Sequence, residues 1–206
     1  MNFPEVEDWV RENLPPAPAR VLEIGAGEGE LARSLRASGY EVTAIDPKSE
    51  IAEVEPVALI DLTPHELPFD AAIAVVSLHH VEPLAASVER LASVLDSDAP
   101  LLVDEFDAAA LDERAAAWWL EQRRARGGED PETPGELGPK MRAKVHSIDL
   151  IVSALSRWFT IGAVEPGTYL YRWHLDESLR PAEEALVERG ELPRTGVRFI
   201  ARRRAR

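Results

Sequence analysis

Short apolar runs alternate along this chain with amphipathic stretches. The first run, Arg20 to Ile24, leads into Gly25-Ala26-Gly27-Glu28-Gly29, and an amphipathic segment from Glu28 to Ser38 stops at Gly39. That sequence predicts a strand, a tight turn and a helix. Further strands are predicted at Glu41 to Ile45, Pro56 to Ile60, Ala71 to Val76, Pro100 to Asp104, Phe159 to Val164 and Gly196 to Arg202. The fourth, Ala71 to Val76, is nearly all apolar, as a parallel strand buried on both faces should be. A helix from Pro83 to Leu95 carries Leu84, Val88, Leu91 and Leu95 on one face. Others are predicted at Pro4 to Asn13, Asp107 to Arg126, Ile148 to Trp158 and Leu179 to Arg189. The helix at 107–126 would place Ala108, Leu111, Ala115 and Trp118 on one face. Ser147 can cap the helix at 148. Only the nine residues Pro47 to Glu55 separate the second and third strands, so the helix between them must be shortened.

From Asp107 the alternation breaks. Gly127 to Pro139 reads as a flexible loop, and Tyr169 to His174 as a strand or edge extension. The prediction is an α/β fold in one domain, residues 1–206, with residues 107–146 inserted as a mobile cap. Trp118 and Trp119 cannot both face the core of one helix.

The glycine turn suggests chemistry. Without side chains, Gly25 and Gly27 let a ligand lie against the backbone, and the amides at the helix start favour a polar or anionic group. The dinucleotide fingerprint G-x-G-x-x-G is not matched, because Gly25, Gly27 and Gly29 are spaced two and two. Glu23 instead completes Glu-x-Gly-x-Gly-x-Gly. That pattern resembles motif I of the class I S-adenosylmethionine (SAM)-dependent methyltransferases.

Later landmarks extend the resemblance. Asp46 ends the second strand 19 residues past Gly27, where an acid bonds ribose hydroxyls in both SAM and NAD folds. The stretch Asp61-Leu62 to Leu67-Pro68-Phe69-Asp70 resembles the family's D-x(n)-L-P-F-D segment. The resemblance implies SAM as cofactor, with Glu23 meeting its cationic amino-acid end, Asp46 the ribose, Asp61 the adenine amino group and the Leu62 amide the ring. It adds Gly25, Ala26, Gly27, Pro47 and Ser77 as further cofactor contacts. It also implies a Rossmann-like, mostly parallel seven-stranded sheet in the order 3-2-1-4-5-7-6, with helices on both faces and the last strand antiparallel.

Ser77-Leu78-His79-His80 and Glu105-Phe106 remain beside the reacting methyl. Histidine suits general-base work near neutral pH. The pair resembles that of small-molecule O-methyltransferases of natural-product pathways, which implies His79 as base and Glu105 as its orienter. His80 is expected as a core or helix-start residue. A one-residue slip would exchange Asp104 and Glu105. His65 is expected as a loop residue, and no metal site is expected.

Composition narrows the partners. At 206 residues, with 45% hydrophobic and 29% charged positions, the chain is long enough for a real core. A net charge of -14 repels phosphate backbones, so a small-molecule acceptor is expected in place of nucleic acid. The Arg202 to Arg206 tail is expected to be solvated. There is no cysteine, no apolar run near membrane length and no basic-then-apolar leader, so a cytoplasmic monomer or homodimer is expected. Two other readings stay open: a Rossmann-type NAD-dependent oxidoreductase, or a SAM-binding partner protein without turnover.

Overall fold

Ala71–Val75, apolar throughout, forms strand β3 at the centre of the sheet, with its first four residues closed off from solvent. The computed structural model describes residues 3–63 and 67–205. Around β3 lie β1 (Arg20–Ile24), β2 (Glu41–Ile45), β4 (Pro100–Phe106), β5 (Phe159–Ile161), β6 (Glu165–Gly167) and β7 (Gly196–Arg203). Their order is β2-β1-β3-β4-β7-β5, with β6 also paired to β7. The β1–β2, β1–β3 and β3–β4 pairs are parallel, and β7 runs antiparallel to its neighbours.

This is the expected α/β sheet with one strand replaced. Residues Pro56 to Ile60 do not form a strand. Only a single bridge, Ile45 to Glu55, continues the edge, and Leu59–Asp61 is a 3-10 turn. The causes are local: Pro56 has no N–H for a ladder, and the nine preceding residues are too few for a crossover helix. The missing edge strand is offset in number by β6, which the sequence did not signal.

The helices are α1 (Pro4–Asn13), α2 (Glu30–Ala37), α3 (Leu84–Val94), α4 (Glu113–Ala125), α5 (Pro134–Arg142), α6 (Ile148–Ser156) and α7 (Arg180–Glu188). Leu22, Ile24, Ala72, Ala74, Leu101 and Val103 pack with α3 and α6 on one face. Val21, Ala71, Ile73 and Leu102 pack with Val6 and Val10 of α1 and Leu35 of α2 on the other. Alternation along β4 therefore sends Asp104 to the α1 face and Glu105 to the α3–α6 face, which removes the one-residue ambiguity between them.

The region after β4 departs furthest from expectation. Helix α4 begins at Glu113, not Asp107, because Asp112 caps it by accepting from the Ala115 amide at 2.9 Å. That shift puts Trp119 rather than Trp118 into the core. Its ring stacks on Trp173 at 4.1 Å, and Nε1 donates to the Trp173 carbonyl at 2.7 Å. Residues 134–139, the end of the expected loop, lie in helix α5, and Leu137 shares a second small core with Phe106, Leu111 and Leu120. Tyr169 to His174 is not a strand either: Leu170–Arg172 is a 3-10 turn with all three residues buried. Arg203 of the basic tail is buried, not solvated, and donates to the Ala92 carbonyl at 2.6 Å. His65 lies outside the described residues. Among the described residues no helix is long and apolar enough to cross a membrane.

Candidate active site

The carboxyl end of β1 turns sharply because the second strand holds it. The Gly25 and Ala26 amides donate to the Ile45 carbonyl at 2.8 and 3.0 Å, and the Gly27 amide donates to Asp46 Oδ2 at 3.0 Å. The other Asp46 oxygen accepts from the Lys48 amide at 2.8 Å. Gly25 and Gly27 adopt φ values of 70° and 53°, where a side chain is strained. Their surroundings differ. A Cβ at Gly25 would lie 2.4 Å from the Ser77 Cβ, whereas one at Gly27 would meet nothing within 4 Å. Gly25 is thus demanded by close packing of the β1 and β3 ends, and Gly27 fronts open space.

Two clefts meet at Gly25. The larger, about 340 Å³, is lined by Gly25, Asp46, Pro47, Val57, Ser77 and His80 among others. The smaller, about 210 Å³, is lined by Phe3, Glu23, Gly25, Ala26, Gly27 and Val75 among others. Each holds a polar atom without a hydrogen-bond partner among the described residues: Ser77 Oγ in the first and Glu23 Oε2 in the second. Glu23 is only 5% exposed. Burial pushes its carboxyl up to about 7, against the pull of Arg36, the Ala32 amide and Arg33. Buried polar atoms left unpaired are costly, and a ligand cation over Glu23 would relieve that cost.

The structure thus gathers Glu23, Gly25, Ala26, Gly27, Asp46, Pro47 and Ser77 on these two clefts. It does not gather Asp61 and Leu62. Asp61 is exposed and lines neither cleft, because the 3-10 turn that replaces the third strand carries it outward. The Leu62 side chain is in the core, and its amide is already bonded to the Leu59 carbonyl at 3.3 Å. The wall of the larger cleft there is Val57, Ala58 and Leu59.

His79 and Glu105 do meet. Nδ1 of His79 lies 2.6 Å from Glu105 Oε2, and both side chains are buried. Glu105 Oε1 accepts from the Ser77 and Leu78 amides at 2.9 and 2.6 Å. One carboxylate therefore satisfies two backbone donors and one imidazole. It holds a turn that is strained at Val76, a β-branched residue with φ 51°. His79 Nε2 makes no hydrogen bond among the described residues.

His80 is the residue that sequence reasoning missed. It is exposed and lines the larger cleft, and its imidazole is held below the usual range by partial burial, then by His79 and Lys48. A 3-10 turn after the strand, Leu78–His80, decides which of two adjacent histidines faces the cleft. Periodicity carries no signal for that. Phe3, which closes the smaller cleft from α1, was likewise invisible to motif reading.

Known proteins match this picture. The chain matches a family described as "Methyltransferase domain" over residues 2–131. It is 32% identical over 112 residues to an uncharacterized methyltransferase of Staphylococcus carnosus (strain TM300), covering 49% of this chain and 54% of that protein. It is also 32% identical over 115 residues to a ubiquinone biosynthesis O-methyltransferase of Xylella fastidiosa (strain 9a5c), covering 48% of this chain and 47% of that protein. The chain thus spans about half the length of the curated relatives it matches. The crystal structure of an S-adenosylmethionine dependent methyltransferase from Mesorhizobium loti superposes with a TM-score of 0.61 at 18% identity, over 95% of this chain and 96% of that one. With more than half of its length matched, the chain belongs to the methyltransferase domain family, built on the class I fold whose cofactor is S-adenosylmethionine, and the nicotinamide reading is set aside.

Proposed function

We propose that the chain transfers a methyl group to a small-molecule acceptor, at an oxygen. The observation that carries this reading is the buried His79–Glu105 contact of 2.6 Å at the ends of β3 and β4, with Ser77 and His80 of the larger cleft flanking His79 in the chain. The similarity to ubiquinone O-methyltransferases supports oxygen as the acceptor atom.

The residues present fit the cofactor. Glu23, Gly25, Ala26 and Gly27 would hold its cationic amino-acid end, and Asp46, Pro47 and Ser77 its nucleoside end. Asp61 and Leu62 are left out of this set. When bound, the cofactor supplies an electrophilic methyl group on a sulfonium. The chain's own contribution is positioning and one proton. His79 Nε2 takes the proton of the acceptor hydroxyl, while Glu105 fixes the tautomer through Nδ1 and stabilises the imidazolium. Residues 107–146, with α4 and α5, serve as the cap on the acceptor side. Calorimetry with SAM, followed by a metabolite-extract screen with labelled SAM, tests the whole reading. Binding of SAM without release of S-adenosylhomocysteine on any acceptor would favour a partner protein without turnover.

Two binding predictions follow from the cleft geometry. Gly27→Ala places a Cβ in open cleft space, so SAM affinity should fall about tenfold or more. The αL penalty for alanine is roughly 1–2 kcal/mol, small enough for the fold to survive. Unchanged affinity in the folded variant would remove Gly27 from the site.

The second concerns pH. The folded Glu23 carboxyl titrates near 7, above its ordinary 4.5. The folded chain therefore keeps a proton that the unfolded chain has lost, and the stability from this group is full below 4.5 and lost as pH rises towards 7. Binding a cationic ammonium needs the ionised form. SAM affinity should thus weaken as pH drops below about 7, by up to roughly tenfold per unit. Glu23→Gln should abolish that slope in calorimetry. A slope that persisted in Glu23→Gln would assign the titration to another group.

A further inference from the structure

We infer that the methyl acceptor carries a carboxylate, received by Arg172, Arg198 and Tyr171 in the place that Glu5 occupies in this structure. The inference rests on the methyltransferase reading and names the acceptor class for that site.

The socket adjoins the smaller cleft. Val75, which lines that cleft, pairs across the sheet with Asp104, and Asp104 pairs in turn with Arg198. On this row and under α1, Arg172 Nη2 lies 2.7 Å from Asp104 Oδ1. Arg198 donates through Nε to the other Asp104 oxygen. Arg172 is 4% exposed at its side chain, yet its Nε and Nη1 donors have no partner among the described residues. Its guanidinium lies over the Tyr169 ring, 5.0 Å from the centroid, and 5.9 Å from the ring of Phe3. One aspartate cannot use the donors of two arginines, since a guanidinium offers five N–H groups.

Glu5 supplies the second carboxylate. Its Oε1 accepts from the Tyr171 hydroxyl and from Arg198 Nη2 at 3.2 Å, and Arg180 Nη1 lies 3.9 Å from Oε2. Glu5 sits in the first turn of α1, whose N-cap residue Phe3 provides no side-chain cap. An uncapped first turn opens at low cost. Swinging it away would join the smaller cleft to a pocket whose Tyr171 hydroxyl and Arg198 Nη2 already receive a carboxylate, with the Arg172 guanidinium 6.0 Å from the Tyr171 ring and Glu177 the other acid acting on it. A purely structural tie of α1 to the sheet would account for Glu5 but not for the unused donors of Arg172.

The experiment titrates the full chain with benzoate and with its neutral isostere benzamide, with and without S-adenosylhomocysteine, by calorimetry. Wild type should bind benzoate more tightly than benzamide. Glu5→Gln should tighten benzoate by about tenfold and leave benzamide unchanged, because the competing charge is gone and the socket is kept. A merely loosened α1 would improve both probes alike. Adding Arg172→Lys to Glu5→Gln, which keeps the charge facing Asp104 but loses the Nε donor and the planar fork, should cancel the gain. Equal affinity for the two probes in Glu5→Gln, or no benzoate binding, overturns the inference. The same cells report S-adenosylhomocysteine binding by itself. Its loss with benzoate preference intact would sink the methyltransferase reading and leave the socket, and the reverse pattern would sink the socket alone.

Discussion

Alanine at position 79 is expected to lower turnover on the true acceptor by roughly a hundred- to ten-thousand-fold, the usual worth of a general base. SAM affinity should stay nearly unchanged, because His79 lines neither cleft. The geometry makes the assignment sharp. Nδ1 faces a fully buried carboxylate at 2.6 Å, so the proton sits on Nδ1 and Nε2 is left to accept. Glu105→Gln should then be nearly as damaging as His79→Ala. Its oxygen can still accept from the Ser77 and Leu78 amides, but its NH₂ would face Nδ1 and force the ring proton onto Nε2, the wrong place for a base. The double variant should be little worse than either single one, since the pair acts as a unit. His80→Ala provides the contrast: its ring is in the larger cleft, so it should weaken SAM binding more than it slows the bound complex. If His79→Ala kept wild-type turnover, the His79–Glu105 contact would be only the clasp of a strained turn.

The strands that carry the site could be read directly from the chain because each is a short apolar run closed by a residue that cannot continue it. Gly25 and Asp46 mark the ends of β1 and β2, and Ala71–Val75 is apolar because helices cover both its faces. What failed was what depends on a single residue's local bonds. Pro56 to Ile60 is apolar enough for a strand, yet Pro56 cannot donate and the Val57 amide folds back onto the Glu55 carbonyl at 2.8 Å. Pro134 to Pro139 has the composition of a loop, but Glu136 reaches back to the Thr133 amide at 2.9 Å and starts a helix there. The pairing of His79 with Glu105 was legible through the family resemblance of the two strand ends, and only the observed alternation along β4 separated Glu105 from Asp104. The exposure of His80 was not, since a 3-10 turn rather than a repeating pattern sets it. Asp61 carried a family motif, but a motif fixes a residue's place in the chain, and here the edge of the sheet beneath it is absent.

Asp104→Ala is expected to cost about 3–5 kcal/mol of stability, the usual penalty for stripping one partner from a buried ion pair. Asp104 is wholly buried and faces two guanidiniums, from Arg172 and Arg198. The two differ in what they can do once it is gone. Arg198 is 28% exposed at its side chain and can turn to solvent, whereas Arg172 is 4% exposed and cannot. Burial works against the Arg172 charge, and Asp104 beside it more than restores it, holding the guanidinium above its ordinary range. Without Asp104 that charge is buried without the carboxylate that touches it, next to donors already unpaired, and Glu177 and Glu183 act on it only from farther off. Denaturant unfolding should show the loss as a lower midpoint with an unchanged slope. An exposed pair such as Arg189–Glu191, 55% exposed at each side chain, should cost at most about 1 kcal/mol when broken the same way. The decisive comparison is Asp104→Ala with Arg172→Met in one chain. Removing both charges leaves a methionine to fill the space over Tyr169, so the double variant should regain part of the stability lost by Asp104→Ala alone. A double variant less stable than Asp104→Ala would place the cost in lost packing, and the buried charge would not be what Asp104 is there to balance.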